Sequence, residues 1–286
     1  MVDIRRDALT GAVVGVNAER QARPNRPNQD CPFCVGGLEA PEPYDVRAFT
    51  NRWPSFPDDR CEVVLYTADH DATFWSLGVD GAMAVVDLWA ERSEELGARD
   101  DIDYVLVFEN RGAEVGATIP HPHGQIYSYT EVPPNPAGEL AASATECALC
   151  NETPGDRLVS EIGGWRAWVP WASVYPYGIV IAPIGHEADL PSLSTSSRRG
   201  LAEVLVDVLH RLDALWDRPM PYMLWFHQRP FDGADWPGAH VHVEIAVPQR
   251  GPGVMRFIAA GELGSGLYVN PVVPESAAAE LRAVRW

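Results

Sequence analysis

The chain repeats one order of cysteines and histidines, and this repeat constrains its fold more than any other feature of the 286 residues. In each copy a Cys-x-x-Cys pair precedes a lone histidine and then a His-x-His pair. The first copy comprises Cys31, Cys34, His70, His121 and His123, and the second comprises Cys147, Cys150, His186, His240 and His242. The first three members recur after 116 residues and the histidine pair after 119, as expected for a duplicated half-domain with one short loop insertion. The period is too long for a solenoid.

Hydrophobic periodicity predicts the same succession of elements in both copies: strands, an amphipathic helix and further strands. The expected strands are 47–51, 61–66, 104–108, 124–129, 165–168 and 177–182, and the expected helices are 81–96, 199–215 and 274–284. This succession predicts an α+β fold of two fused, duplicated half-domains, each a mainly antiparallel sheet with packed helices. We expect an N-terminal arm at 1–30, a first half at 31–135 and a second half with the C-terminal segment at 136–286, joined by a proline-rich linker near 133–136.

The charge balance excludes some functions. With 22 basic and 40 acidic residues, a formal net charge of −18 argues against a surface for nucleic acid or anionic membrane. The chain contains no lysine, so cationic contacts to a phosphate must come from arginine, a helix N-terminus or a metal. No apolar run is long enough to cross a bilayer and the first residues do not resemble a signal peptide, so we expect a cytoplasmic protein.

The repeated cysteines and histidines predict two zinc sites. Zinc favours tetrahedral nitrogen and sulfur ligands, and a Cys-x-x-Cys turn with two distant histidines is a filled, structural set. The cysteine pairs alone could form a redox motif or one shared four-cysteine site, but a lone histidine follows each pair by the same 36 residues, which favours separate sites. The predicted ligands are Cys31, Cys34, His70 and His121 for the first site, and Cys147, Cys150, His186 and His240 for the second. At the second site His227 is a competing ligand.

His121-Pro-His123-Gly-Gln125 is the candidate catalytic segment. On an extended strand both histidines project to the same face, so zinc at His121 would place His123 beside a fixed anchor. A rigidly held neutral imidazole is a competent nucleophile toward phosphorus. Gly124 leaves backbone room for a phosphate, and Gln125 can donate a hydrogen bond to a non-bridging oxygen. By chemistry alone, the two histidines could also be two ligands of one metal.

This segment, preceded by Phe108-Glu-Asn110-Arg-Gly112, resembles the galactose-1-phosphate uridylyltransferase branch of the histidine-triad superfamily. The resemblance covers nearly the whole chain, including the arm at 20–24. It implies two histidine-triad-like halves, bound zinc and a homodimer. It also implies that His121 binds zinc and that His123 becomes nucleotidylated, with Gln125 in place of the third histidine of the triad.

The resemblance also implies substrate contacts and a reaction. The implied contacts are Arg20, Arg23, Asn51, Asn110 and Thr118, together with Arg256 and Phe257, which would reach the active site of the neighbouring subunit. The implied reaction is ping-pong: a nucleotide-sugar such as UDP-glucose donates its nucleotidyl group to His123, and a second sugar 1-phosphate, such as galactose 1-phosphate, removes it.

The C-terminal segment departs from the transferase pattern. Arg256 replaces a lysine, Gly261 stands where tyrosine is usual, and 264–271 resembles the plant-type branch that acts as an ADP-glucose phosphorylase. These differences leave open the base, uracil or adenine, and the acceptor, a sugar 1-phosphate or inorganic phosphate. In the second copy Glu244 replaces the glutamine, so we interpret His242 as a structural relic, with a metal ligand as the alternative. A zinc-bound scaffold without chemistry is a further alternative, disfavoured by the Gly-Gln pair of the first copy.

Overall fold

The computed structural model describes residues 2–18, 21 and 31–285. Its strands are β1 Asp3–Arg6, β2 Val13–Val16, β3 Arg47–Thr50, β4 Cys61–Leu65, β5 Tyr104–Arg111, β6 His123–Tyr129, β7 Leu158–Ile162, β8 Trp165–Trp168, β9 Ile179–Pro183, β10 Tyr222–His227, β11 His242–Ala246, β12 Gln249–Gly251 and β13 Val254–Met255. Its α-helices are α1 Gly78–Gly97, α2 Pro134–Ala142, α3 Ala148–Asn151, α4 Thr195–Ala214, α5 Ala260–Ser265 and α6 Pro274–Ala283.

One nine-stranded sheet carries both copies of the repeat, in the order β3-β4-β6-β5-β10-β11-β9-β8-β7. Its neighbouring strands pair in antiparallel fashion. The first four strands come from the first copy and the other five from the second, so the halves join edge to edge where β5 pairs with β10, with Phe108 opposite Trp225. The predicted α+β fold of two fused antiparallel halves is confirmed.

Helices α1 and α4 cover one face of this sheet and contact each other. Buried residues of α1 recur at intervals of three and four, including Ala82, Val85, Val86 and Trp89, which is the spacing of one helix face. Trp89 stacks on Phe74 and touches Phe226, so the core under the helices runs continuously from the first half into the second.

The opposite face of β4 carries a smaller apolar cluster of Phe33, Ala40, Val63 and Leu65, next to the turn that holds the first cysteine pair. This face holds the candidate site. The stretch 133–136, predicted to be a linker, differs from that prediction because it enters α2, with Pro134 at the first helical position. A proline is tolerated there because that residue needs no backbone N–H donor.

Candidate active site and metal centres

Strand β6 carries both predicted catalytic side chains on one face. Burial alternates along the strand, with His123 and Gln125 partly exposed and Gly124 buried. His123 lies opposite Leu65 of β4, and Gln125 lies between Val63 and Phe108 of the two neighbouring strands. Because β6 is bonded on both sides, the backbone under these side chains is held by two ladders of hydrogen bonds.

The His123 imidazole is held by a backbone contact and a ring contact. Its Nδ1 lies 2.8 Å from the carbonyl oxygen of His121. Since a carbonyl oxygen only accepts, Nδ1 donates and carries the proton, and the lone pair lies on Nε2. The ring also meets Phe33 nearly edge-on, with centroids 5.1 Å apart. The orientation and the tautomer of this imidazole are therefore both defined.

A cavity of about 570 Å³ opens beside His123. Its polar lining includes Asn51, Thr118, His123 and Gln125, and its apolar lining includes Phe33, Phe49, Trp53, Val63 and Ile119. The amide nitrogen of Asn51 donates to Oε1 of Gln125 across 3.4 Å, which leaves the Gln125 amide nitrogen as the donor end of that side chain. At the rim Arg52 pairs with Glu39 at 2.7 Å. An apolar pocket with a few convergent polar groups suits a flat base with an attached phosphate.

The other predicted contacts fall in different places. Asn110 lies on β5, and continuing the pairing register of β5 with β6 places it opposite His123, although it does not line the cavity. Arg20 and Arg23 lie outside the described residues.

Arg256 and Phe257 also lie outside that cavity. The Arg256 guanidinium is buried in a close ion pair with Glu262 and donates to the carbonyl of Val269, so it braces its own segment. Phe257, in contrast, is 79% exposed.

The first predicted zinc set converges in space. Sulfur–nitrogen separations are 3.4 Å for Cys34 to His70, 3.7 Å for Cys34 to His121 and 3.8 Å for Cys31 to His121. Tetrahedral zinc with bonds of about 2.0–2.3 Å requires ligand atoms about 3.3–3.8 Å apart, so the set fits. Nε2 of His121 is 2.8 Å from the carbonyl of Thr67, and this partner directs Nδ1 toward the sulfurs.

The second predicted set converges in the same way but lies nearer the surface. Nδ1 of His240 is 3.3 Å from Cys147 and 3.5 Å from Cys150, and Nδ1 of His186 is 3.3 Å from Cys150. Cys150 and His186 are exposed here, whereas the members of the first set are partly or fully buried. Burial lowers the pKa of His240 to about 4, so this imidazole is neutral at pH 7, the form that binds a metal.

His227, the competing ligand, belongs to a different cluster. Its Nδ1 is 2.7 Å from a carboxylate oxygen of Glu139, a residue of α2, and 3.5 Å from Glu244. His242 joins the same group, with Nε2 3.4 Å from Glu139. Burial opposes ionisation of Glu139, but hydrogen bonds with His227 and His242 lower its pKa to about 2. A cavity of about 540 Å³ adjoins this cluster in the second half.

The structural requirement for glycine at position 124 differs from the one predicted, which was space for a phosphate. A Cβ at this position would point to the helix-covered face, away from His123, and would lie 2.1 Å from the hydroxyl oxygen of Tyr66. The absent side chain therefore makes room for Tyr66 rather than for a phosphate. Behind Tyr66 lies Glu109, whose pKa is raised to about 7 by burial. Neither Tyr66 nor Glu109 was predicted from the sequence, because both resemble ordinary buried strand residues.

Among the described residues, no helix has both the length and the apolar composition needed to cross a membrane.

The chain matches known proteins over almost its full length. Two family models match: Galactose-1-phosphate uridyl transferase, N-terminal domain, at residues 57–133, and its C-terminal domain at 144–285. A galactose-1-phosphate uridylyltransferase of Thermotoga maritima is 36% identical over 99% of this chain and 98% of its own length. A solved uridylyltransferase structure has a TM-score of 0.88 at 30% identity, over 99% of this chain and 98% of the other. An ADP-glucose phosphorylase from Arabidopsis thaliana, solved with bound ADP-glucose, has a TM-score of 0.81 at 23% identity over 100% of both chains.

Proposed function

This chain belongs to the galactose-1-phosphate uridylyltransferase family, and we propose that it transfers UMP through a covalent nucleotidyl group on His123. It is a nucleotidyltransferase. The proposed donor is UDP-glucose, and the proposed acceptor is galactose 1-phosphate or a related sugar 1-phosphate. The observation that carries the proposal is the His123 imidazole, tied at Nδ1 to the carbonyl of His121 and lining a cavity with Gln125.

The first half-reaction uses the lone pair on Nε2 of His123. It attacks the α-phosphorus of the donor, a nitrogen–phosphorus bond forms, and the bond from that phosphorus to the bridging oxygen breaks. The bridging oxygen leaves with its electron pair as part of the sugar 1-phosphate. In the second half-reaction a phosphate oxygen of the acceptor attacks the same phosphorus and the nitrogen–phosphorus bond breaks. Because leaving group and acceptor are both phosphates, little proton transfer is needed, and positioning supplies most of the acceleration.

The remaining polar residues of the cavity are proposed to bind the nucleotide. The Gln125 amide nitrogen would donate to a non-bridging oxygen of the α-phosphate, with Asn51 holding its other end. Thr118 would contact the nucleotide and its phosphates, and the apolar Phe33 and Phe49 of the same cavity would pack on the base. Asn110, which lies outside the cavity on β5, would also contact the nucleotide and its phosphates. Arg20 and Arg23 would supply positive charge to the phosphates, since the chain has no lysine.

Zinc is proposed at both Cys2His2 sets, whose separations suit tetrahedral binding. Zinc at the first set would anchor His121 and therefore the start of β6. No electron transfer or water activation is required of a metal with four protein ligands. The predicted boundaries at residues 30 and 135 and the cytoplasmic location stay predictions.

A homodimer is also part of the proposal. Phe257 is the member of the Arg256-Phe257 pair that projects from the surface, so it would insert near the neighbouring subunit's nucleotide. Arg256 would support the segment through Glu262 rather than touch substrate.

An ADP-glucose phosphorylase activity is the second candidate, because the Arabidopsis enzyme shares the fold over both complete chains. In that case inorganic phosphate would be the acceptor and the base would be adenine. A zinc-bound scaffold without chemistry is the weakest alternative, since family membership supports an enzyme.

The test is the intact mass of the protein after mixing with UDP-glucose or ADP-glucose, without acceptor. We expect one uridylyl group on the wild type and none on His123→Ala. An adenylyl group instead would favour the phosphorylase. No adduct with either donor, in folded and zinc-loaded protein, would contradict the histidine mechanism.

A further inference from the structure

A buried polar cluster lies directly beneath the active strand. The Tyr222 hydroxyl donates to Oε1 of Glu109 at 2.8 Å. Oε2 of Glu109 and the Tyr66 hydroxyl are both buried without a partner of good hydrogen-bond geometry, and each is near enough to the other to affect its pKa. All three side chains are at most 5% exposed. We call Tyr66, Glu109 and Tyr222 the glutamate cluster.

The glutamate cluster presses on β6 between its two functional side chains. The Tyr66 hydroxyl is so close to the main chain of Gly124 that a Cβ there would lie 2.1 Å from its oxygen. Gly124 separates His123 from Gln125, which point to the opposite face. The hydrogen bonds to neighbouring strands lie within the plane of a sheet. Movement of a strand perpendicular to that plane is limited by the side chains packed on its two faces. At Gly124 the Tyr66 hydroxyl is the packed group on the buried face.

Neighbouring charges tie the cluster to both halves. Arg111 of β5 lies with its guanidinium 5.6 Å from the centre of the Tyr222 ring. It also forms a two-pronged ion pair with Asp213 of α4, at 2.6 and 2.9 Å. Glu109 is therefore flanked by Tyr66, which directly follows β4, and by groups from β5, β10 and α4, so that both copies of the repeat contribute.

In the second half the positions equivalent to Glu109 and Gly124 carry apolar side chains. Gln125 pairs with Phe108 and Glu244 pairs with Trp225, so continuing the registers makes Phe226 the counterpart of Glu109 and Val243 the counterpart of Gly124. Both counterparts are fully buried and apolar. Burying a carboxyl group costs free energy that an apolar side chain does not. The second copy of the fold therefore packs this position without a carboxyl group.

We propose that Glu109 is a positioning residue for nucleotidyl transfer, holding Tyr66 against Gly124 and so fixing the height of His123 and Gln125 over the nucleotide. The catalytic part rests on the proposed function, because it takes His123 as the nucleophile. The structural part, that the glutamate cluster restrains β6, stands independently of that chemistry.

The test compares Glu109→Leu, Glu109→Gln and the matched control Phe226→Leu in the full-length zinc-loaded protein. One readout is the single-turnover rate of nucleotidylation by UDP-glucose as a function of donor concentration. The other is hydrogen exchange of the amides in β6 and in β11, followed by mass spectrometry.

We expect Glu109→Leu to slow nucleotidylation by roughly 10- to 100-fold, the loss expected when a reacting group is misplaced. Donor affinity should change little, and exchange in β6 should rise. Glu109→Gln should restore the rate to within a few-fold, since an amide both donates and accepts. Phe226→Leu should raise exchange in β11 and leave the rate nearly unchanged.

An unchanged rate and unchanged β6 exchange in Glu109→Leu would overturn the proposal, and so would an equal rate loss in Phe226→Leu, which would indicate a general effect of stability. If Glu109→Leu does not fold, Tyr66→Phe replaces it, with the same expected loss and the same overturning result. A wild type that forms no adduct would contradict the proposed function alone, and β6 exchange would still decide the positioning role.

Discussion

The two halves hold their second histidine in the same way and surround it differently. Nδ1 of His123 is 2.8 Å from the carbonyl of His121, and Nδ1 of His242 is 2.8 Å from the carbonyl of His240. Beside His123 stand an amide, Gln125, and an open cavity. Beside His242 stand two carboxylates, with its Nε2 3.4 Å from Glu139 and 4.0 Å from Glu244.

The two halves therefore share the arrangement that orients the histidine but differ in the groups that a phosphate would meet beside it. In both halves a Cys2His2 set that could hold a metal lies at the start of the strand, and the second imidazole has the same orientation in both. A carboxylate beside Nε2 repels a phosphate, whereas an amide can donate to it. Helix α2, which carries Glu139, follows the first half and lies against the second, so a carboxylate from outside the second sheet half stands beside the second histidine.

The largest test of the comparison replaces each histidine by alanine. We expect His123→Ala to lower transfer by roughly 10⁴-fold or more, as removal of a nucleophile does elsewhere. His242→Ala should keep activity within about tenfold, since its effect would pass only through packing. Steady-state rates with matched zinc content measure both. Equal losses would mean that activity does not reside in one half.

The two proposed zinc sites provide a second test of the difference between the halves. Cys34→Ser should remove the metal beside His121 and lower activity by roughly 100-fold, in the range of defects around metal sites. Cys150→Ser should remove the exposed site and lower the melting temperature while activity falls less than about tenfold. Zinc per chain, melting temperature and rate are measured on each variant. A larger activity loss in Cys150→Ser would contradict this order.

Gly124 and Val243 occupy the same place in the two halves. We expect Gly124→Ala to cost about 1–3 kcal/mol of unfolding free energy by overpacking against Tyr66. Adding Tyr66→Phe should recover much of it, because without the hydroxyl the nearest atoms are 3.1 Å from the new Cβ. Val243→Ala should cost about 1 kcal/mol or more through a cavity, with little effect on rate. Denaturant unfolding measures all four proteins, and no recovery in the double variant would contradict the contact.

The last expected effect is on the pH dependence of stability. Burial raises the pKa of Glu109 to about 7 in the folded protein, above its ordinary value of 4.5, so the folded state binds this proton more tightly. The resulting stability is complete below about pH 4.5 and is lost as the pH rises through 7. The free energy of unfolding of Glu109→Gln, measured relative to that of the wild type, should therefore rise by on the order of 3 kcal/mol between pH 4.5 and pH 8.

The apolar counterpart Phe226 provides the control for this prediction. Phe226→Leu should destabilise by the same amount at every pH, because no titrating group is changed. Unfolding in denaturant at pH 5, 6, 7 and 8 makes the comparison. A constant difference between Glu109→Gln and the wild type would mean that Glu109 does not change ionisation on folding.

Much of the fold was predictable because its signals are local. The spacing of apolar residues around Trp89 marks α1, and the central strands alternate or run apolar as expected. The structure of the proline-rich stretch at 133–136 was harder to predict, because Pro134 is compatible both with a linker and with the first turn of a helix. Packing of α2 against the second half decides between them.

Chemistry pointed to His123 and Gln125, and the family resemblance implied Asn51 and Thr118. All four side chains line one cavity. The orientation of Arg256 was not predictable, because the sequence of the motif is the same whether the guanidinium points outward or pairs internally with Glu262. His227 was ambiguous for a similar reason: imidazole suits a metal and a carboxylate equally, and here Glu139 is its neighbour.

By itself the sequence determined the duplication, the two Cys2His2 sets and the strand that carries His123. These follow from ligand chemistry and from the two-residue period of a strand, which need no knowledge of distant partners. Only the tertiary structure decided that Tyr66, Glu109 and Tyr222 lie together beneath Gly124, and that Glu139 contacts His242. Such contacts depend on strand order and register, which are set by burying whole faces of the sheet rather than by any one segment.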